Sequence, residues 1–304
     1  LDLRGRALPG IDLRGQDLRH VDLAEAVLAQ ADLRAARLAG VDLTGADLSA
    51  AKLAGADLRG AHLADAVLSD ADLSDAVLAE STLARADLAG ATFGGADLGG
   101  ADLTLVDLDG ADLSRCRLTG ARFEQASLQE AKLTGQDVSG AVLRQADLGG
   151  AHLAGARLDR ADCRQARFAG AELGGASLRS ISGRAADFAG AQLREADLSR
   201  ADLREASFVA AWAPKASFAR ARLARAIFEK AEAREAAFGL AELRFSVWDH
   251  ARAEGSSFAG ADLEGASMHR TQLAGASFEG ARRDGVQGTD PARAEAEDFV
   301  AGKV

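Results

Sequence analysis

The sequence predicts a solenoid built from five-residue units, four to a coil, and three observations carry that prediction. First, every fifth residue from Leu3 to Phe278 falls in one register with no insertion or deletion, and nearly all of these positions are Leu or Phe. Second, a period of five matches neither the 3.6 of a helix nor the 2.0 of a flat strand, so the chain has to bend once per unit. Third, the substitutions recur by twenties: Phe168, Phe188, Phe208, Phe228 and Trp248 form one series, and Phe218, Phe238, Phe258 and Phe278 form another offset by ten. A spacing of twenty is four units per turn.

Within a unit such as Ala46-Asp47-Leu48-Ser49-Ala50, the first and third residues are apolar and the other three are mostly polar or small. Two side chains therefore point inward and three outward. Ala213, Ala233 and Ala253 form a third series, with Leu223, Leu243 and Leu263 interleaved. Large residues on two opposite sides with smaller ones on a third keep core volume near native density. Burying one central Leu or Phe contributes about 1.5 to 3 kcal/mol. Stability then comes from stacking neighbours, and the ends need protection.

The Ala-Asp-Leu-x-x unit resembles the motif of the pentapeptide repeat family, and the likeness covers residues 1–281. It implies an all-β fold, a right-handed quadrilateral β-helix of about fourteen coils, on the order of 65 Å long at strand spacing. Departures are few. Cys163 and Gly183 replace the central residue on one side, and the chain has no Asn, so Asp alone precedes the Leu.

Both ends depart from the pattern. Arg6 and Gln16 occupy inward Ala positions and Pro9 interrupts the outward ones, which predicts a frayed or covered first coil. Residue 1 is not Met, and the expectation is a part of a longer chain. The repeat pattern stops after Ala281, leaving 282–304 as a tail. There Asp290 reads as the N-cap and Pro291 as the first residue of a short helix that stops at Gly302. Phe299 and Val300 are expected to cover the last coil, or a partner's last coil, which also makes a homodimer through a solenoid end an expected arrangement.

Chemistry is sparse. No stretch approaches eighteen apolar residues and no secretory leader pattern is present, so neither membrane nor export is expected and the cytoplasm is the default location. Cys116 and Cys163 lie at inward positions more than two coils apart and are expected as buried free thiols. His20, His62, His152, His250 and His269 all occupy outward positions; only His250 and His269 fall one coil apart on one side, and solvated surface is the reading for all five. No nucleophile, phosphate-loop or zinc spacing appears. No catalytic residue, cofactor or metal site is expected.

The surface is uneven. Residues 1–150 carry 24 acids against 14 bases, net −10, while the remainder balances at 22 against 22. From Asp42 to Asp112, 14 acids face only Lys52, Arg59 and Arg85. Most are the motif Asp, which is expected to hydrogen-bond the backbone at the corner. Asp65, Asp70, Asp75 and Glu80 are different, because they end four successive units and would ring one coil with outward carboxylates. A second surface appears between Ser207 and Ser256, where Val209, Trp212, Ile227, Leu240, Phe245 and Val247 take outward positions among Lys215, Arg220, Arg222, Arg225, Lys230 and Arg234. Clustered apolar groups of this kind mark partner interfaces; local repacking around the three Ala is the alternative.

The resemblance implies a function for the acidic coils. Family members of the quinolone-resistance and mycobacterial fluoroquinolone-resistance type bind DNA gyrase and topoisomerase IV and imitate duplex DNA. The expected role is a non-enzymatic, protein-binding DNA mimic acting through Asp65, Asp70, Asp75 and Glu80, with no direct nucleic-acid binding. The alternative is a structural or adaptor module of a larger assembly, such as a secretion-system accessory protein, binding a partner through Trp212, Ile227, Phe245 and Val247.

Overall fold

The computed structural model describes residues 1–301, with side chains placed as far as Asp298. Its contacts divide the chain into two compact units, Leu1–Ala166 and Arg167–Val304. In both, the second residue of a pentad pairs in parallel with the residue twenty further on, at most positions of the first unit, beginning with Asp2↔Asp22, and throughout the second as far as Ser267↔Gln287. Where the sequence pattern stops at Ala281, pairing continues through Arg282 and Gln287.

One unit shows why the motif closes. Buried backbone donors must be satisfied, and in Ala46–Ala50 all five are. Ala46 N donates back to Leu43 O (3.0 Å), Asp47 N to Ala26 O in the preceding coil (3.0 Å), and Leu48 N and Ala50 N to Val67 O and Ser69 O in the next (2.7 and 2.8 Å). Only the fourth N–H lacks a backbone partner, and Asp47 Oδ1 accepts it at 3.0 Å from Ser49. The motif Asp is thus a piece of the corner. The fifth residue turns that corner in the left-handed region, φ 51° at Ala50, a conformation that costs an L-residue other than Asn or Asp roughly 1–2 kcal/mol.

The two units fill their interiors differently. The first is largely Leu over Ala, and Cys116 and Cys163 are buried free thiols within it. Burial pushes the Cys116 thiol up to about 11 and drives Cys163 in the same direction. In the second unit the aromatic series stack, with ring centroids 4.8, 5.0, 4.7 and 4.1 Å apart from Phe168 to Trp248 and 4.8, 5.0 and 4.9 Å apart from Phe218 to Phe278. The two columns meet edge to face across the interior, as Phe218 and Phe228 do at 5.7 Å. The Trp248 indole N–H is satisfied by Ser246 Oγ at 2.9 Å.

One end differs from expectation and the other agrees with it. The first coil is not frayed: Asp2, Ala7, Asp12 and Asp17 all pair with the second, while Arg6 and Gln16 are exposed. At the other end α1 spans Pro291–Ala301, and Asp290 Oδ1 caps it by accepting Ala292 N and Arg293 N at 2.9 and 3.1 Å. The Phe299 and Val300 side chains and Gly302 lie outside the described residues. Among the described residues no helix is long and apolar enough to cross a membrane.

Candidate functional site

Asp65, Asp70, Asp75 and Glu80 occupy the four corners of one coil, each exposed and each in the left-handed region, φ 55–60°. A fifth-position side chain leans toward the corner of the next coil, and what it meets there decides its charge. Asp65 meets Arg85, which forks onto both carboxylate oxygens at 2.7 and 2.6 Å and holds the carboxyl below the usual range. The ring of four free carboxylates read from the sequence is therefore a ring of three. Asp70 and Asp75 meet Gly90 and Gly95, where a Cβ would stand 2.4 Å from Asp70 Oδ1 and Asp75 Oδ1 respectively, and the Glu80 stem lies against Gly100. No cation pairs with Asp70, Asp75 or Glu80 among the described residues. Successive corners face different directions, so one flat partner reaches two neighbouring corners at a time.

The motif acids behave differently. Asp42, Asp47, Asp72, Asp97, Asp102 and Asp112 each accept the N–H two residues on. Where Arg follows, as at Asp57-Leu58-Arg59, the guanidinium also forks back onto the carboxylate at 2.8 and 2.7 Å. These hydrogen bonds, with Arg59 first for Asp57 and Thr44 first for Asp42, hold both carboxyls below their ordinary range. Their charge remains at the surface, but their geometry is fixed by the corner.

The apolar surface separates into pieces. Ile227 and Val247 pair directly on adjacent coils, and Phe245 sits at the corner beside Val247. Its ring lies over Gly265, so close that a Cβ there would be 2.6 Å away, and it remains half exposed. Leu240 lies over Gly260 in the same manner. Trp212 does not join them: it pairs with Gln192 and Glu232 on the neighbouring side of the coil. The basic residues around this patch share a register. Lys215, Arg220, Arg225 and Lys230 are four successive fifth-position residues, a basic counterpart of the acidic coil. The same period-of-five count picks out that register.

The histidines need the larger correction. His269 is buried, only 2 % exposed, and His250 and Glu297 converge on it from the preceding coil and from α1. His269 Nε2 and His250 Nε2 lie 3.2 and 3.4 Å from Glu297 Oε2, close to the roughly 3.3 Å edge of a tetrahedral zinc site with 2.0–2.1 Å bonds. The surroundings argue against an ion. His269 Nδ1 accepts the Asp290 N–H at 3.1 Å, so its proton resides on Nε2 and is given to Glu297. Arg293 and Arg270 also reach Glu297, at 3.0 and 3.3 Å. Asp249 completes the network, accepting from Ser267 Oγ and Arg293 at 2.6 Å each. Burial opposes its ionisation, but those two hydrogen bonds outweigh it and hold the carboxyl below its usual range. The cluster fastens α1 to the coil carrying His269. Sequence spacing left these histidines on the surface because α1 arrives from residues with no repeat to place them.

A family model described as pentapeptide repeats matches residues 2–34, 26–65, 42–78, 66–104, 107–145, 146–182, 184–218, 201–239 and 249–282. The stretch 240–248, with Leu240, Phe245 and Val247, falls outside it. Among curated proteins nothing matches. Solved structures that resemble the chain include HetL, a pentapeptide repeat protein involved in heterocyst differentiation regulation from the cyanobacterium Nostoc, at 27% identity over 82% of this chain and 88% of HetL, TM-score 0.35. A pentapeptide repeat protein of the Arabidopsis thaliana thylakoid lumen is 28% identical over 39% of this chain and 72% of its own, TM-score 0.23. A trypsin-treated form of QnrB1, a plasmid-mediated fluoroquinolone resistance protein, is 22% identical over 66% and 98%, TM-score 0.27.

Proposed function

This chain belongs to the pentapeptide repeat family, whose members fold as right-handed quadrilateral β-helices, and from that premise we propose that it is a non-enzymatic binding protein whose first unit imitates duplex DNA toward a topoisomerase. The observation that carries the reading is charge density. Residues 42–112 hold a net −11 and, at twenty residues per coil, extend about 17 Å along the axis at strand spacing. Duplex DNA presents about ten charges over that length, one per roughly 1.7 Å. The motif Asp residues supply a regular background, and Asp70, Asp75 and Glu80 add unpaired charge at the corners.

The test is inhibition of DNA gyrase supercoiling by the purified chain, compared with a variant carrying Asp65→Asn, Asp70→Asn, Asp75→Asn and Glu80→Gln. Asn tolerates the left-handed corner, so the fold is kept while the charge is lost. Weaker inhibition by the variant, with a steep salt dependence in the parent chain, supports mimicry; no inhibition by the parent at micromolar concentration sinks it.

A second reading has its own observation. Phe245 and Ile227, 53 % and 37 % exposed, form with Val247 an apolar step on the second unit suited to an adaptor role in a larger assembly. Partner capture that survives the charge-neutral variant and is lost on Ile227→Asp favours the adaptor.

A further inference from the structure

In the first unit the pairing lapses at two consecutive rungs. Asp87 does not pair with Asp107, nor Thr92 with Asp112, although the rungs on either side, Thr82↔Asp102 and Asp97↔Arg117, are formed. Single rungs are also missing at Asp22–Asp42 and Arg117–Asp137, but a neighbouring hydrogen bond survives at each, Leu23 N to Asp42 O at 3.0 Å and Gly120 N to Ser139 O at 3.3 Å. Between 87–94 and 107–114 none does. Among the described residues the N–H groups of Leu88, Gly90, Phe93, Asp107 and Asp112 have no acceptor, and neither Ala86 O nor Ala91 O receives its usual donor. The coils are parted there by a cleft of about 660 Å³, lined on one lip by Leu88–Gly94 and on the other by Asp107–Asp112 with Arg115. Ala91 and Ala111 are half-buried, whereas inward Ala residues of coils below, such as Ala51 and Ala71, are wholly buried.

The sequence changes at the same place. Phe93, Val106 and Cys116 stand where the preceding coil has Leu73, Ala86 and Ala96, so bulk is added on three columns at the coil that parts, the condition under which overpacking shifts backbone. Around the opening, Cys116 Sγ lies 3.4 Å from Phe93 O and Gln136 Nε2 donates to Ser114 O. Arg115 has left the left-handed corner conformation that all other fifth positions from Glu25 to Gly285 adopt.

We propose that this cleft is a docking site for an extended, basic polypeptide segment that enters as an added strand. Each lip carries two bridge positions on successive sides of the coil, Asp87 and Thr92 on one and Asp107 and Asp112 on the other, whose unused donors and acceptors are the elements of strand addition for a segment that turns once at the Gly90 corner. Alternate side chains of an entering strand would face inward onto Leu88, Ala91, Phe93 and Ala111 and outward past the lips. The outward positions select charge. Asp107, Asp109 and Asp112 each use only Oδ1 in hydrogen bonds, leaving Oδ2 without a partner among the described residues. Asp70 and Asp75 lean onto Gly90 and Gly95 at the other lip, and Arg115 is the single cation in the lining. The cleft shares acids with the topoisomerase reading, and the two fail separately: peptide binding is scored on its own, with variants that leave Asp65, Asp70, Asp75 and Glu80 intact, whereas mimicry is scored by gyrase inhibition.

The probe is an acetylated octapeptide alternating Lys and Val, beside a twin N-methylated at every Val and a twin with Glu for Lys. Amide hydrogen exchange on the full chain is expected to be fast at Leu88, Gly90, Phe93, Asp107 and Asp112 relative to the paired Leu48, Ala50 and Leu53, and to slow when the Lys-Val peptide is added. Fluorescence anisotropy is expected to give at least about tenfold weaker binding for either twin, and for Asp112→Pro, which removes one lip donor. Asp107→Asn with Asp112→Asn, which keeps every backbone group, covers the case in which the Pro variant fails to fold and is expected to lose affinity for the Lys-Val peptide. Slow exchange at the five amides without peptide, equal binding of the N-methylated twin, or no binding of the Lys-Val peptide overturns the proposal.

Discussion

The two units make opposite use of an aromatic residue at the same position of the motif. In the second unit Phe168, Phe188, Phe208 and Phe228 follow one another at intervals of twenty, and rings stacked 4.7–5.0 Å apart match the roughly 4.8 Å between strands. Ring thickness and coil spacing agree, so pairing runs without a missing rung from Arg167↔Asp187 to Ser267↔Gln287. In the first unit Phe93 stands alone between Leu73 and Leu113, close to Val106 and Cys116, and the ladder opens beside it. A lone ring is not enough: Phe123, alone between Leu103 and Leu143, keeps the rungs Asp102↔Arg122 and Arg122↔Val142, so what sets the open coil apart is Phe93 coinciding with Val106 and Cys116 on neighbouring columns.

The largest effect expected from this comparison is in the stacked column. Phe228→Ala removes a fully buried ring that stacks on Phe208 and Trp248 and should cost about 3–5 kcal/mol, read as a drop in the urea midpoint; a loss below about 1 kcal/mol would show that the column does not act as a unit. The converse variant is Phe93→Leu with Val106→Ala. It should close the cleft, lowering exchange at Leu88, Gly90 and Asp107 at least about tenfold and abolishing binding of the Lys-Val peptide, with stability unchanged or raised by about 1 kcal/mol.

A smaller effect belongs to the latch. Arg293→Ala strips Asp249 of one partner and should free α1, at a cost of about 1–3 kcal/mol in local opening measured by exchange in 291–298. The acid branch carries a sign. Asp249 is held below its ordinary carboxyl value in the folded chain, so its contribution is complete above the unfolded value near 3.9 and is lost as pH falls through the folded value. Asp249→Asn should flatten that part of the stability profile below about pH 4; an unchanged slope would remove Asp249 from the latch. Least of all, Asp70→Asn and Asp75→Asn should each shift stability by no more than about 0.5 kcal/mol, since both face glycine and water; a larger loss would make these corners structural.

Much of the fold was legible because a solenoid is a local code. Leu48 is buried for the same reason as Leu68, and the twenty-residue recurrence of Phe168 through Trp248 is visible before any coordinate. The acidic coil was legible too, since Asp65, Asp70, Asp75 and Glu80 share a position in the unit. What escaped was each contact between units of different register or with no register at all. Arg85 neutralises Asp65 because it happens to be the corner residue one coil on. Trp212 parts from Ile227 because the fifteen-residue step between them is three of the four sides around the coil. His269 is buried because α1, which follows the repeat, folds back over it.

The sequence by itself determined the period, the coil of four units, the identity of the inward residues, the α1 cap at Asp290 and the placement of charge in the first 150 residues. Each follows from which groups must leave water and which backbone donors must be satisfied, and both conditions recur every five residues. Only the tertiary structure decided where coils stay paired and where they part, because that depends on volumes summed across neighbouring columns. It also decided which corner carboxylates stay unpaired, because an ion pair depends on the residue twenty positions away and not on the motif that precedes it.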